Sequence, residues 1–215
     1  MKADHLIVLV EEPSMESFLR IVFPAILGQE ATFDIHPFQG KQDLMDKLPS
    51  RLRGYANWIP ESSRILVLVD RDDEQCAPLK ARMEQFALAA GLRTPSNASR
   101  AQWQVANRIA IEELESWYFG DWEAVRESYP KVKSTIPDKA QFRDPDRIVG
   151  GTWEAFERVL RAAGYFKSGL RKVEAAREIG ARFVPERNRS RSFQVFLNTV
   201  LETIYEDART LGPES

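Results

Sequence analysis

Ile65-Leu66-Val67-Leu68-Val69 is an unbroken aliphatic run that passes directly into Asp70-Arg71-Asp72-Asp73. A run so short and so rich in branched residues predicts a strand buried on both faces: a strand with one wet face alternates apolar and polar residues, and a helix needs a longer span. The carboxylates then arrive at the C-terminal end of a rigid, buried element. Like charges packed this closely repel, so the arrangement is costly unless a divalent cation or solvent takes up the negative potential. The first expectation is therefore a metal site at one edge of a parallel sheet.

The rest of the chain supplies the neighbours such a strand needs. His5–Val10 is a second continuous apolar run, and it ends on Glu11-Glu12. Phe18, Leu19, Val22, Phe23 and Ile26 follow at helical spacing, with Ser14 as the expected N-cap. Residues 31–38 read as another strand, and Leu44, Leu48, Leu52 and Tyr55 as the buried side of the next helix. After the central strand, a helix is expected from about Glu74 to Ala90, stopped by Gly91. Residues 103–111 form a weaker strand pattern, interrupted by Asn107 and Arg108, and run into Glu112-Glu113-Leu114-Glu115. Repeated β-α units predict an α/β fold, a mostly parallel sheet sandwiched by helices.

From Tyr129 to Gly151 the periodicity fades among Pro130, Pro137, Pro145 and Gly150-Gly151. The predicted organisation is an α/β domain over residues 1–128, a connecting segment over 129–151, and a C-terminal helical extension over 152–210 packed on the first domain. In that extension Ser192 is the expected N-cap of the last helix.

Ligands of open α/β sheets sit beyond the carboxyl ends of the strands. Glu11, Asp70 and Asp72, and then Glu115 all lie at such ends, so they are expected to converge. Oxygen-only ligands select Mg2+ or Mn2+ over zinc. Asp70 and Asp72 are expected to hold the ion, provided the chain turns after Asp70. Glu11 would bind a second ion or move a proton, and the usual chemistry of such a site is attack on a phosphodiester. Glu16, Asp73 and Glu115 are secondary candidates, and Asp72 or Asp73 also fits the N-cap of the following helix.

The net charge of −2 conceals a division, because residues 158–191 hold ten Lys or Arg against three acids. An acidic centre beside a basic surface suits DNA or RNA, with Lys172, Arg189 and Arg191 as phosphate contacts. Trp117, Tyr118 and Trp122 fall on a helical stripe and read as core rather than as base-stacking residues. No phosphate-binding glycine loop is present, and neither histidine has a recognisable catalytic partner. A single cysteine, Cys76, excludes an internal disulfide. Without an apolar run of membrane-spanning length or a leader pattern, the expected location is cytoplasmic, with no membrane contact.

A glutamate after the first strand (Glu11), an Asp-x-Asp after the third (Asp70-Arg71-Asp72) and a later Glu115-Ser116-Trp117 resemble the Toprim superfamily of topoisomerases, DnaG-type primases and OLD-family nucleases. More narrowly, Val10-Glu11-Glu12-Pro13-Ser14-Met15-Glu16, Val69–Asp73 and Asn188-Arg189-Ser190-Arg191-Ser192-Phe193 resemble the bacterial domain-of-unknown-function 4276 family, encoded beside ABC- or OLD-type ATPases. The resemblance implies a Toprim-like fold. It also implies a Mg2+-dependent nuclease using Glu11, Asp70 and Asp72, and working with an ATPase partner in defence against phage or in DNA maintenance. Where the superfamily has glycine after its glutamate, this chain has Glu12-Pro13, and the bulkier charged residue is expected to narrow the approach to Glu11. Two alternatives stay open: a non-catalytic regulatory subunit that binds nucleic acid or the ATPase, and a metal-dependent small-molecule phosphohydrolase. A homodimer also stays open.

Overall fold

The computed structural model describes residues 2–71, 74–98, 102–110 and 113–205. Strands β1 (His5–Val10), β2 (Thr32–Pro37), β3 (Ser63–Asp70) and β4 (Val105–Ala110) form one sheet in the order β2-β1-β3-β4, with every pairing parallel. They are linked by α1 (Pro13–Leu27), α2 (Lys41–Ala56) and α3 (Cys76–Ala89). After β4 come α4 (Leu114–Gly120), α5 (Trp122–Ser128), α6 (Thr152–Ala162), α7 (Lys172–Gly180) and α8 (Arg191–Ile204). The α/β architecture is the one the alternating apolar runs predict.

Successive strand residues point to opposite faces, and the two cores divide accordingly. Leu6, Val8, Val10, Leu66 and Leu68 face a core shared with α1, α4 and the C-terminal helices. Ile7, Leu9, Ile65, Val67 and Val69 face a second core built with α2 and α3. Every residue of β3 is buried, as its unbroken apolar run requires. The weak pattern of β4 has a specific cause: Asn107 donates to Glu84 on α3 at 2.8 Å, while Arg108 reaches Thr199 on α8 at 2.6 Å. Both side chains thus find a donor-side partner, one across each face, and do not interrupt the strand.

Several element boundaries differ from expectation. Ser14 is not the N-cap of α1; Glu12 holds that position, Pro13 occupies the first helical turn, and the Ser14 hydroxyl donates back to Glu12. Proline's fixed φ and missing N–H suit the first helical position, which moves the cap two residues earlier. Ser192 is likewise not the cap of α8: the Ser190 hydroxyl accepts from Phe193 N–H at 3.2 Å. Helix α3 begins at Cys76 rather than Glu74. Residues 129–151 contain two short 3-10 turns, and Val132, Ile136, Phe142 and Ile148 are buried there. Their apolar residues are too widely spaced to show a period.

Trp117, Tyr118 and Trp122 are all buried, as expected of core residues. Among the described residues, no helix is long and apolar enough to cross a membrane.

Candidate functional site

Strand β1 leads to β2 on one side of the sheet, while β3 leads to β4 on the other, so the direction of winding reverses between β1 and β3. Open α/β sheets bind ligands in the crevice beyond that reversal. Glu11 follows β1 and Asp70 ends β3, and the Asp70 backbone N–H donates to Glu11 Oε2 at 3.1 Å. Sequence separation of 59 residues is thus closed by the parallel register that sets Val10 opposite Leu68. Asp70 continues the alternation of Leu66 and Leu68, which places it on the side of α1, α4 and α7. It is only 5% exposed, and its Oδ1 makes no hydrogen bond. Burial pushes the Asp70 carboxyl well above the ordinary range, and the charges of Glu11, Glu12, Glu115 and Glu113 push it further.

Helix α4 brings the next acids. Glu113 is its N-cap and accepts from the Trp153 N–H at 2.9 Å, tying α4 to the first turn of α6. Glu115, in the first turn, is 1% exposed, with an Oε2 that has no hydrogen-bond partner. Every residue of α4 is buried because the helix inserts Trp117, Tyr118 and Phe119 into the core, and that insertion carries Glu115 inward. Burial raises its carboxyl pKa to about 7, against the lowering influence of Lys172 and with the support of Glu113 and Glu12. The Tyr118 hydroxyl, also buried without a partner, is pushed well up by burial and by the charges of Glu115 and Glu12.

Lys172, the first residue of α7, is the counter-charge to this group. Its Nζ lies 3.5 Å from Glu12 Oε1 and 5.6 Å from the centre of the Trp153 ring. Burial lowers its pKa, but Glu115, Glu12, Glu113 and Asp70 together outweigh that and raise it. Lys41, at the start of α2, donates to the Arg71 carbonyl at 2.9 Å and adds positive charge at the same strand edge. An open cleft of about 720 Å³ lies alongside, with Arg71, Glu113, Gly151 and Trp153 among its walls. Gly151 carries the N-cap position of α6 at φ +83, a backbone that favours glycine, and the Glu154 carboxylate occupies the space a Cβ would take.

Of the residues singled out from the sequence, Glu11, Asp70, Glu115 and Lys172 are brought together. Asp72 and Asp73 lie outside the described residues, so their roles as ligand and as cap are not placed. Glu16 is directed elsewhere, bonded to Arg20 at 2.9 Å in a pair that reaches the Ile35 carbonyl of β2. Lys172 meets carboxylates rather than open solvent. Much of the basic segment is also internally paired: Arg171 with Glu174, Arg182 with Glu178 and Arg187 with Asp121.

Arg189 and Arg191 are exposed, and the residues between and around them are structural. Asn188 donates to the Trp117 carbonyl at 2.7 Å and its Oδ1 sits where a Cβ on Gly120 would lie, so only glycine allows that approach. Ser190 and Ser192 both donate hydroxyls to Asp146, which also accepts the Ser192 N–H at 3.0 Å. Asp146 therefore takes the anion position at the α8 N-terminus, which leaves any phosphate contact to the two arginine side chains.

Sequence reading missed Glu12 and Glu113 as members of the cluster. The available signal was each residue's place directly after a strand and at a helix start. Glu12 has extended backbone at φ −140, which any residue adopts, so no glycine is required there. Its side chain turns toward Ser14 and Lys172.

Because Glu115 binds its proton more tightly folded than unfolded, the stability linked to it is present below about pH 4.5 and is lost as pH rises to about 7. Glu115→Gln is therefore expected to be more stable than the wild type at pH 8 by about 3 kcal/mol, and to show no such advantage near pH 4. Thermal unfolding across that range checks it; a pH-independent difference would rule it out.

Among the described residues, no group of three His, Cys, Asp or Glu side chains is gathered as a ready metal site. A model of the family described as "Domain of unknown function (DUF4276)" matches residues 10–201. No curated protein and no solved structure matches the chain.

Proposed function

We propose that this chain, which belongs to the DUF4276 family, is a divalent-metal-dependent phosphodiester hydrolase that acts on nucleic acid. One observation carries the reading: a buried Asp70 carboxylate with an unbonded oxygen, set among other carboxylates at the crevice between β1 and β3. A buried anion surrounded by anions costs several kcal/mol unless a cation offsets it. The oxygen-only donor set fits Mg2+ or Mn2+, so the residues present suit such an ion. Asp70 and Glu11 would hold it, with Asp72 the third ligand that the Toprim resemblance implies. When bound, the ion supplies charge stabilisation to a reacting phosphate and acidifies a bound water.

The remaining roles fall to groups of the chain itself. Glu115, with a pKa raised to about 7, is protonated in a large fraction of molecules at neutral pH, and that form can give its proton to a leaving oxygen. Lys172 keeps its charge and can turn from Glu12 to an entering phosphate. Arg189 and Arg191, exposed beside the Asp146 wall of the cleft, would neutralise flanking phosphates. The partner ATPase, the role in phage defence or DNA maintenance, and Toprim kinship all rest on the sequence resemblance.

A second reading is favoured by Lys172 itself. Its ammonium group already sits among the acids that a metal would otherwise neutralise, as in a non-catalytic subunit that keeps the fold and binds nucleic acid or an ATPase. Calorimetric titration of Mg2+ and Mn2+ into wild type and Asp70→Ala separates the two. The hydrolase reading requires heat of binding that Asp70→Ala loses, and cleavage of DNA or RNA that the same change abolishes. Silence in both titrations, together with retained nucleic-acid binding, would instead establish the non-catalytic subunit.

A further inference from the structure

A second concavity lies along α6, away from the acids. Its floor is apolar, made by Val132, Ile136 and Phe142 of the segment after α5 together with Ala155 and Val159 of α6, and its volume is about 280 Å³. Its rim carries Lys131, Lys133, Lys139 and Arg158, and no acidic residue lines it. Lys133, Lys139 and Arg158 are exposed and have no ion-pair partner among the described residues. Lys131 lies over the Tyr165 ring at 5.9 Å. Unpaired cations around a dry floor fit a ligand with a flat apolar body and an anionic group beside it. The volume sits at the small end of ligand pockets, roughly 300–1,000 Å³, which suits one ring system and not a long acyl chain.

The position of the pocket identifies that ligand further. Residues three and four apart on a helix are neighbours, so Gly151, Glu154 and Arg158 form one row along α6. Gly151 and Glu154 line the cleft beside the acidic cluster, and Arg158 lines the apolar pocket. Helix α6 thus contributes side chains to both hollows, which share no lining residue. From Trp153 to Val159 the helix rises about 9 Å, a span that a few nucleotides of an extended strand cover.

We propose that this pocket receives a nucleotide unit, base inward on the apolar floor and phosphate at the Lys133, Lys139 and Arg158 rim. The inference rests on the nucleic-acid reading of the acidic site and names its substrate class as single-stranded, because a base inside a duplex is not free to enter a pocket. A free nucleotide offers the same chemistry as one unit of a strand, and the two sources are separable by experiment.

The test is calorimetric binding of an unlabelled single-stranded oligonucleotide, of the corresponding duplex and of a nucleoside monophosphate, all with EDTA present so that neither metal nor cleavage intervenes. Wild type, Lys133→Glu/Arg158→Glu and Ala162→Trp are compared; the last fills the pocket mouth from an exposed helix position without changing charge. Both variants are expected to weaken oligonucleotide binding about tenfold or more. The charge reversal is also expected to shrink the slope of log affinity against log salt by about 1.4, roughly 0.7 for each lost contact. Binding of the monophosphate alone, with the same response to Ala162→Trp, would assign the site to a free nucleotide.

The proposal is overturned if Ala162→Trp binds like the wild type, since the rim then acts only as diffuse charge. It is equally overturned if the duplex binds as tightly as the single strand, or if anionic phospholipid vesicles bind and the oligonucleotide does not. Mg2+ titration of both variants is expected to match the wild type. A wild type that binds single strands but no metal therefore sinks the hydrolase reading alone, while a wild type that binds Mg2+ but no single-stranded oligonucleotide sinks this one alone.

Discussion

Asp70→Asn is expected to abolish metal-dependent cleavage and, in the absence of metal, to raise the melting temperature of the protein. The two effects have one cause. Asp70 is buried, its Oδ1 is unbonded, and Glu11, Glu12, Glu113 and Glu115 all repel its charge. An amide of the same shape removes the repelled charge and adds a donor that can reach the surrounding carboxylates, which stabilises the metal-free chain by about 1–3 kcal/mol, or several degrees. The same change removes the anionic ligand from β3, and activity is expected to fall by more than the 10–100-fold typical of losing a supporting group around a metal. Mg2+ should raise the melting temperature of the wild type and leave that of Asp70→Asn unmoved. Thermal melts with EDTA and with Mg2+, beside a cleavage assay, read all three effects. If Asp70→Asn melts lower than the wild type in EDTA, the acidic cluster is a structural network whose hydrogen bonds are needed, and the metal reading loses its main support.

How far the fold could be read in advance follows from which physical signals are local. The unbroken runs in β1 and β3 declared a sheet covered on both faces, because continuous apolar sequence of that length has few other uses. Their acidic ends are legible for the same reason, so Glu11 and Asp70 are expected at one edge from the sequence, with Glu115 joining them after the fourth strand. The β4 strand was blurred by Asn107 and Arg108, whose partners Glu84 and Thr199 lie far away in sequence. Capping was misread twice, at Ser14 and at Ser192, because a serine near a helix start satisfies several geometries and only tertiary contacts choose among them. Lys172 illustrates the limit best. Its charge and segment suggest an outward phosphate contact, yet its setting among Glu12, Glu115 and Trp153 depends on how α7 lies along α1, where a Cβ on Gly180 would meet Phe18 and Ile21 at 3.5 Å. No spacing rule encodes that approach.

That placement of α7 is itself held by a buried carboxylate, and its removal is expected to destabilise the fold. Asp121 ends α4 and caps α5, and its side chain is fully buried. It accepts the Val184 N–H at 2.8 Å and the Arg187 guanidinium through both oxygens, at 2.6 and 3.1 Å, so it fixes the chain directly after α7 to the α4–α5 junction. Asp121→Ala strands the Val184 N–H and removes a bidentate pair whose arginine is partly in solvent, an expected loss of about 2–3 kcal/mol. For a chain of 215 residues this is a drop of roughly 5–10 °C in melting temperature. Arg182, Arg187 and Arg189 border the loosened segment, so trypsin is expected to cut there faster in the variant than in the wild type. Asp121→Ala/Arg187→Ala should be scarcely less stable than Asp121→Ala, because the two residues act through one shared interaction. Because α7 carries Lys172 into the acidic edge, loosening that segment should also weaken the hold of Lys172 on Glu12 and raise the Glu115 carboxyl further. Asp121→Ala is therefore expected to keep the fold at low temperature while losing the electrostatic setting of the site. Denaturant unfolding of the single and double variants decides the matter, and a loss below about 1 kcal/mol would mean that apolar packing of α7 on α1 holds the helix in place without the carboxylate.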